Sequence, residues 1–363
     1  MAGHVPDDRT TATELGTALG TLPFPTLASA LARRPDQLRI ADGGWDHLEA
    51  ISRSGRFAAE LALSFANGRA LLDARDGLRG RTPLTIEWTG GRRPPGDEVA
   101  PVDLRIDHVY LVSCKYQSDI LANASPGRLF DGLLATSGDW DRTDWYESVA
   151  PVEFTALYRA CVSATGLTGF PPAPSGCSRD QLVALKKALA KRAYPDAPSR
   201  SAYDALCRAV SAASARRWSE RIESSGVAPE TMLWRLLRIG NAPYFVLGID
   251  RRTGAPARFR IADPWDWRDQ FILDAFVVTP VVAGQPRVDW TGTYRTRRDG
   301  GSQKVAGHVE IRWSHGRFAQ PPEAKVYLDT PMADLPGYHP LEPLVRSQPT
   351  LWSTVSPHGR DGP

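Results

Sequence analysis

An α/β fold is predicted by three observations in the first 134 residues. Apolar residues recur at helical spacing over 45–66, three short strand-like segments follow at 84–89, 103–107 and 109–115, and Ser125-Pro126 opens another helix that runs to Leu134. The order is helix, three strands, helix. Each element has its own local warrant. Asp46 can cap the first helix, and Glu60 lies on its body. The strand 84–89 is bounded by Arg81-Thr82-Pro83 on one side and Gly90-Gly91 on the other, and 91–96 forms a loop. Pro126 occupies a favoured first-turn position of the closing helix.

The segment 98–117 carries the chemistry. Asp103, Arg105 and Asp107 alternate with Leu104 and Ile106, the signature of a strand with one wet face, and Asp107-His108 supplies turn residues before the β-rich stretch 109–112. This second strand ends in Ser113-Cys114-Lys115. Residues two apart on a strand share a face, so Ser113 and Lys115 project together. A three-residue connection at 106–108 would bring Asp103 to that same face, and a two-residue one would send it to the other. Only six of the 44 basic residues are lysines, so a lysine closing an apolar strand stands out in a chain that otherwise uses arginine. An ammonium is compact and its pKa is adjustable, unlike a guanidinium.

On these residues the chain resembles the PD-(D/E)XK nuclease superfamily, the restriction-endonuclease-like proteins, over roughly a quarter of its length. The resemblance implies an αβββα core and an Mg²⁺-dependent endonuclease that hydrolyses DNA, with roles in restriction or anti-phage defence. It makes Asp103 the metal ligand, Lys115 the catalytic lysine and the Cys114 carbonyl a backbone ligand. Pro101-Val102-Asp103 has one residue inserted in the PD pair, and Ser113 stands where the family usually has an acid. Some Ser-X-Lys restriction enzymes of this superfamily recruit a carboxylate from the following helix. Asp119, Asp131 and Glu60 are the candidates, Glu60 matching the glutamate that many members carry on the first helix. The resemblance is compatible with a homodimer and with a partner methyltransferase or another defence-system protein. A protein that kept the fold but lost catalysis, binding nucleic acid or acting as a scaffold, is the alternative that Ser113 favours.

The remainder divides by texture. We expect an N-terminal helical extension over 1–44, the nuclease core over 45–165, a helical segment or insertion over 166–242, a β-rich region over 243–340 and a Pro-rich tail over 341–363. The acids of 136–151 read as a solvated loop, and 166–178 as a Gly/Pro-rich linker. Helices are expected from Asp180, from Ser199 or Ser201, and from Pro229. The strand 244–249 can complete the core sheet as its fourth strand, which would make the helical segment an insertion. Hairpins flank 250–254 and 297–301, and Arg251, Arg252, Arg295, Arg297 and Arg298 at their tips are candidate DNA contacts. Nearby Trp265, Trp267, Trp290, Tyr294 and Trp313 suit either a stacking surface or a β core. Glu323-Ala324-Lys325 is a second E-X-K string, but no upstream acid hairpin accompanies it.

Composition narrows the function classes. The chain has 363 residues, room for about two domains, and its net charge of +3 confines any nucleic-acid surface to a local patch. Cys114, Cys161, Cys177 and Cys207 form no zinc spacing, and the N-terminus lacks the basic and apolar regions of a signal peptide. No apolar run reaches membrane-spanning length. A cytoplasmic protein is the simplest expectation. Neither a Walker loop, a dinucleotide fingerprint nor a nucleophile elbow is present, and His308 and His315 have no identifiable acid partner in sequence.

Overall fold

The computed structural model describes residues 7–40, 43–89, 102–116, 120–133, 144–189, 194–250, 253–282, 284–314 and 316–344. These residues form a mixed α/β structure of eleven α-helices and two β-sheets. The first sheet runs, in spatial order, β1 (Leu38–Arg39), β2 (Ile86–Trp88), β3 (Leu104–Ile106), β4 (Tyr110–Lys115), β6 (Tyr244–Ile249), β7 (Pro256–Ile261) and β12 (Tyr338–Pro340). β2, β3 and β4 form an antiparallel meander, whereas β4 and β6 are parallel. Parallel neighbours need a crossover. Residues 116–243 supply it, and most of the helices lie within that crossover.

The β3–β4 hairpin explains the register. Asp107 and His108 both take left-handed backbone conformations (φ 50° and 61°), and the Val109 amide donates to the Ile106 carbonyl at 3.1 Å. Asp107 tolerates that conformation while its Oδ1 accepts from the Leu84 and Thr85 amides at 2.7 and 2.9 Å, tying the turn to the entry of β2. With Leu104 opposite Val112, the connection is three residues long, one position later than expected. Asp103 therefore stands across from Ser113.

The N-terminal residues are part of this core and not an extension to it. The helix α1 (Asp8–Gly20), capped by the Asp7 side chain, is buried from Thr11 to Gly20. It lies against α4 (Ala58–Asp73) at very short range. A Cβ on Gly16 would sit 2.2 Å from Ser64 Oγ, and one on Gly68 would sit 2.0 Å from the Thr17 carbonyl, so only glycine permits the approach. The single helix expected over 45–66 is two, α3 (Gly44–Ser54) and α4, separated at Gly55, whose left-handed backbone (φ 67°) ends α3. Gly43, not Asp46, occupies the cap of α3. Asp46 instead pairs with Arg34 at 2.7 Å. The short helix α2 (Leu27–Arg33) completes this layer.

The second sheet is antiparallel, in the order β5 (Ile120–Ala124), β11 (Glu323–Leu328), β10 (Ser302–Arg312), β9 (Pro286–Thr296) and β8 (Phe271–Val282). Its inner face buries Val288, Trp290, Tyr294, Val305, Val309 and Ile311 by strict alternation. These residues pack with α7 (Pro151–Thr165), α9 (Ala197–Ser224) and α10 (Pro229–Leu236) in one continuous core. That core also takes in α5 (Pro126–Phe130), α6 (Trp145–Val149), α8 (Arg179–Ala188) and α11 (Pro264–Gln270). Hence 166–178 is a loop within one body. β6 faces both cores: Phe245 and Leu247 join the N-terminal one, Tyr244 and Val246 the other. No helix among the described residues is long and apolar enough to cross a membrane.

Candidate active site

Asp103 immediately precedes β3, fixed by backbone on both sides. Its amide donates to the Val112 carbonyl at 2.8 Å, and its carbonyl accepts from the Thr89 amide at 3.0 Å. Its carboxylate turns to the end of β4. There Oδ2 accepts from the Cys114 amide at 2.6 Å and from Ser113 Oγ at 3.4 Å. Asp103 thus meets Ser113 and the Cys114 backbone. Ser113 differs from expectation in being fully buried. It lies behind Asp103 and steadies the carboxylate instead of facing an open edge.

A second carboxylate joins them from a helix in which sequence reasoning placed no site residue. Glu14, on α1, is only 7% exposed, and its Oε2 accepts from Trp88 Nε1 at 2.6 Å. Burial first and the Asp103 charge second push its pKa up to about 8, against the opposing pull of the Trp88 hydrogen bond and the Lys115 charge. Glu14 therefore senses both Asp103 and Lys115. The three groups share one electrostatic neighbourhood at the carboxyl end of β4. The Cys114 thiol is pushed well up by burial, Asp103 and Glu14, which keeps it neutral.

A buried polar network supports this end of the sheet. Tyr116 Oη hydrogen-bonds with Thr17 Oγ1 at 2.8 Å and accepts from Asn67 Nδ2 at 3.0 Å. Asn67 Nδ2 also donates to the Gly248 carbonyl at 2.8 Å, and Arg258 Nε donates to Asn67 Oδ1 at 2.8 Å. Burial raises the Tyr116 pKa, so the phenol stays protonated. The network joins α1, α4, β6 and β7 to the residue after Lys115. Gly248 faces Lys115 across the β4–β6 pair, and a Cβ there would fall 1.9 Å from the Lys115 carbonyl oxygen.

The other predicted residues lie elsewhere. Glu60 pairs with Arg9 at 2.7 Å near the start of α1. Asp131 follows α5 and pairs with Arg217 of α9 at 2.8 Å, held in the second core and away from the hairpin. Asp119, Arg251, Arg252 and His315 lie outside the described residues. Arg295 pairs with Asp274 at 2.9 Å, Arg297 Nε donates to the Arg268 carbonyl at 2.6 Å, and Arg298 is exposed. Trp267, Trp290 and Tyr294 are 1% exposed and belong to the core, and Trp313 packs among Tyr146, Phe154 and Phe318. Of the five candidate stacking aromatics only Trp265 is open, at 86%. Glu323 and Lys325 pair with each other at 3.4 Å on β11.

A hard divalent cation is compatible with the hairpin site. Magnesium is commonly bound through one or two carboxylates, with waters and substrate phosphate oxygens completing its shell. Asp103 and Glu14 supply two carboxyl groups, and the Asp103 charge disfavours ionisation of Glu14, an effect that a cation would offset. No group of three or more His, Cys, Asp or Glu side chains suited to a metal occurs among the described residues. Comparison with family models, with curated proteins and with solved structures returns no match to this chain.

Proposed function

We propose that the protein is a magnesium-dependent nuclease of the restriction-endonuclease-like type, hydrolysing phosphodiester bonds in DNA at the Asp103–Lys115 hairpin. The observation that carries this reading is the Asp103 carboxylate held on the Cys114 amide at the end of β4, with the buried Glu14 near enough to feel its charge, on a strand that pairs antiparallel with β3 and parallel with β6. Lys115 closes the same strand. The meander followed by a parallel crossover strand supports the corresponding core.

Asp103, Glu14 and the Cys114 carbonyl are the groups that would hold the cation. When bound, magnesium supplies charge stabilisation to the scissile phosphate and acidifies a coordinated water. The chain's own residues do the rest. Ser113 and the Cys114 amide orient the Asp103 carboxylate. Glu14 begins protonated near neutral pH and must release that proton to become a ligand. Lys115 offers its ammonium to a phosphate oxygen and to the attacking water. The Tyr116–Asn67–Gly248 network fixes the backbone on which Lys115 stands.

The test is cleavage of supercoiled plasmid with and without Mg²⁺, alongside calorimetric titration of the protein with Mg²⁺. Cleavage that needs the metal, is lost in Asp103→Asn and is accompanied by metal binding supports the reading. A pure wild-type protein that neither cuts DNA nor binds Mg²⁺ overturns it. Ser113 favours one second reading, a catalytically silent nucleic-acid-binding protein on the same fold. DNA binding without cleavage at any divalent metal would select it.

A further inference from the structure

We propose that β8 is a self-association edge, pairing antiparallel with β8 of a second copy of this chain across a twofold axis at Val277 and joining the two antiparallel sheets into one. β8 ends its sheet, with β9 on one side and no strand among the described residues on the other. Its inner face is occupied, since Phe276 and Val278 pack against the larger core. Its outer edge is open. Ala275, Val277, Thr279, Pro280 and Val282 are exposed, Val277 by 56%. An uncovered edge strand presents its amides and carbonyls to another strand of compatible chemistry.

A contact from α9 fixes which way the backbone of β8 points. Ser211 Oγ donates to the Val281 carbonyl at 2.9 Å and accepts from the Arg287 amide at 3.0 Å, and Val281 stands opposite Arg287, so the Val281 carbonyl faces β9. Hydrogen-bonding direction alternates along a strand. Thr279 and Val277 therefore also face β9, while Phe276, Val278 and Pro280 turn their backbone outward. Proline has no amide to donate, and the outward position is the one where its own sheet loses nothing by it. At the other end, Asp274 is the extra residue of a bulge between Leu273 and Ala275, and its carboxylate is held by Arg295 at 2.9 Å. A bulge and a proline commonly blunt an edge. Here they bound an uncharged run, 275–279, that neither of them covers.

The spacing of these two interruptions selects the partner. Asp274 and Pro280 lie equally far from Val277 on either side. Self-pairing centred on Val277 sets the bulge of one copy opposite the proline of the other, so both interruptions fall on one rung and the missing donor is not called on. Phe276 of each copy then exchanges backbone bonds with Val278 of the other, about four bonds in all. A register centred on Val278 would instead bring Pro280 opposite Phe276 and leave a carbonyl of each copy unpaired. The two Val277 side chains meet across the axis in the closer, non-hydrogen-bonded kind of pair. No charged residue occurs from 275 to 282, so an isologous contact brings no like charges together along this run. A strand of unrelated sequence carries no interruption matched to that spacing. The inference does not rest on hydrolysis at Asp103.

Sedimentation velocity on the full chain, without nucleic acid or divalent metal, tests it across a wide range of protein concentration. We expect wild type to pass from monomer to dimer as concentration rises. Val277→Lys sets two ammonium groups against each other on the axis and should weaken dimerisation at least tenfold, with the thermal transition kept because the side chain is exposed. Oxidative cross-linking reads the register, with wild type, whose cysteines are free, as the control. A non-hydrogen-bonded antiparallel pair holds its Cα atoms about 4.5 Å apart, within disulfide reach, so Val277→Cys should form a covalent dimer. The two copies of Thr279 would stand about 14 Å apart at roughly 3.4 Å of rise per residue, so Thr279→Cys should not cross-link. The proposal is overturned if wild type stays monomeric throughout, if Val277→Lys folds and dimerises like wild type, or if Thr279→Cys cross-links as readily as Val277→Cys.

Discussion

Lys115 and Glu14 answer to opposite pressures, which makes them the sharpest residues to change. Lys115 closes β4 at partial exposure, with its backbone held by β6. Lys115→Ala should therefore keep stability within about 1 kcal/mol of wild type, as surface changes usually do, while cutting Mg²⁺-dependent cleavage by about 10²-fold or more. Chemical denaturation beside a plasmid assay separates these; a large stability loss would make the lysine structural. Glu14 is the reverse case, a buried acid whose folded-state pKa of about 8 exceeds its ordinary value of 4.5. Its contribution to stability is fully present below pH 4.5 and is lost as pH rises through 8. Wild type should lose stability relative to Glu14→Gln across that window, on the order of a few kcal/mol, and urea melts at pH 5, 7 and 9 read the difference. Mg²⁺ affinity should rise over the same window in wild type and stay flat in Glu14→Gln. Asp103 and Lys115 were legible because a period of two fixes which strand residues share a face. Glu14 was not, since Lys, Glu, Arg and Asp are seldom fully buried and its carboxyl meets Trp88 and Asp103 only through tertiary packing. Gly16 and Gly20, four apart on α1, were the available sign that this helix is buried.

Strands and helices were legible where their chemistry is local. The Ser178–Gln181 capping box and Pro229 at the first turn of α10 mark helix starts that the sequence places within a residue or two. Gly55 broke one expected helix into two, which a continuous apolar period conceals. β5 escaped prediction because its partner, β11, lies about 200 residues later in the chain, and nothing within Ile120–Ala124 announces that pairing. The β4–β6 contact is equally non-local, and it yields an element-scale prediction. Gly248 is pressed against the Lys115 backbone, so Gly248→Ala must displace one strand or the other. The expected cost is about 1–3 kcal/mol, the usual range for overpacking, with cleavage falling further than stability because the displaced group carries Lys115. Thermal melts and cleavage rates measured on the same preparation test this; unchanged activity at unchanged stability would show that the strands yield without moving the lysine.

At the scale of the whole molecule, β6 decides how the protein unfolds. It offers Phe245 and Leu247 to the core formed with α1 and α4, and Tyr244 and Val246 to the core formed with the second sheet and α7, α9 and α10. Neither core can lose this strand and keep its own face covered. The domain boundaries expected from the Gly/Pro-rich stretch at 166–178 would allow the parts to melt separately, whereas a shared central strand couples them. Tryptophan emission reports mostly on the larger core, which contains Trp145, Trp218, Trp234, Trp267 and Trp290, while far-ultraviolet circular dichroism reports on both. We expect the two signals to trace one urea transition with a single midpoint. Phe245→Ala removes a side chain from the N-terminal core alone, at a cost of about 3–5 kcal/mol. Coupling through β6 requires that this substitution lower the midpoint by the same amount in both signals, although Phe245 does not belong to the tryptophan-rich core. A fluorescence midpoint that stays put while the dichroism midpoint falls would mean that the two cores unfold independently.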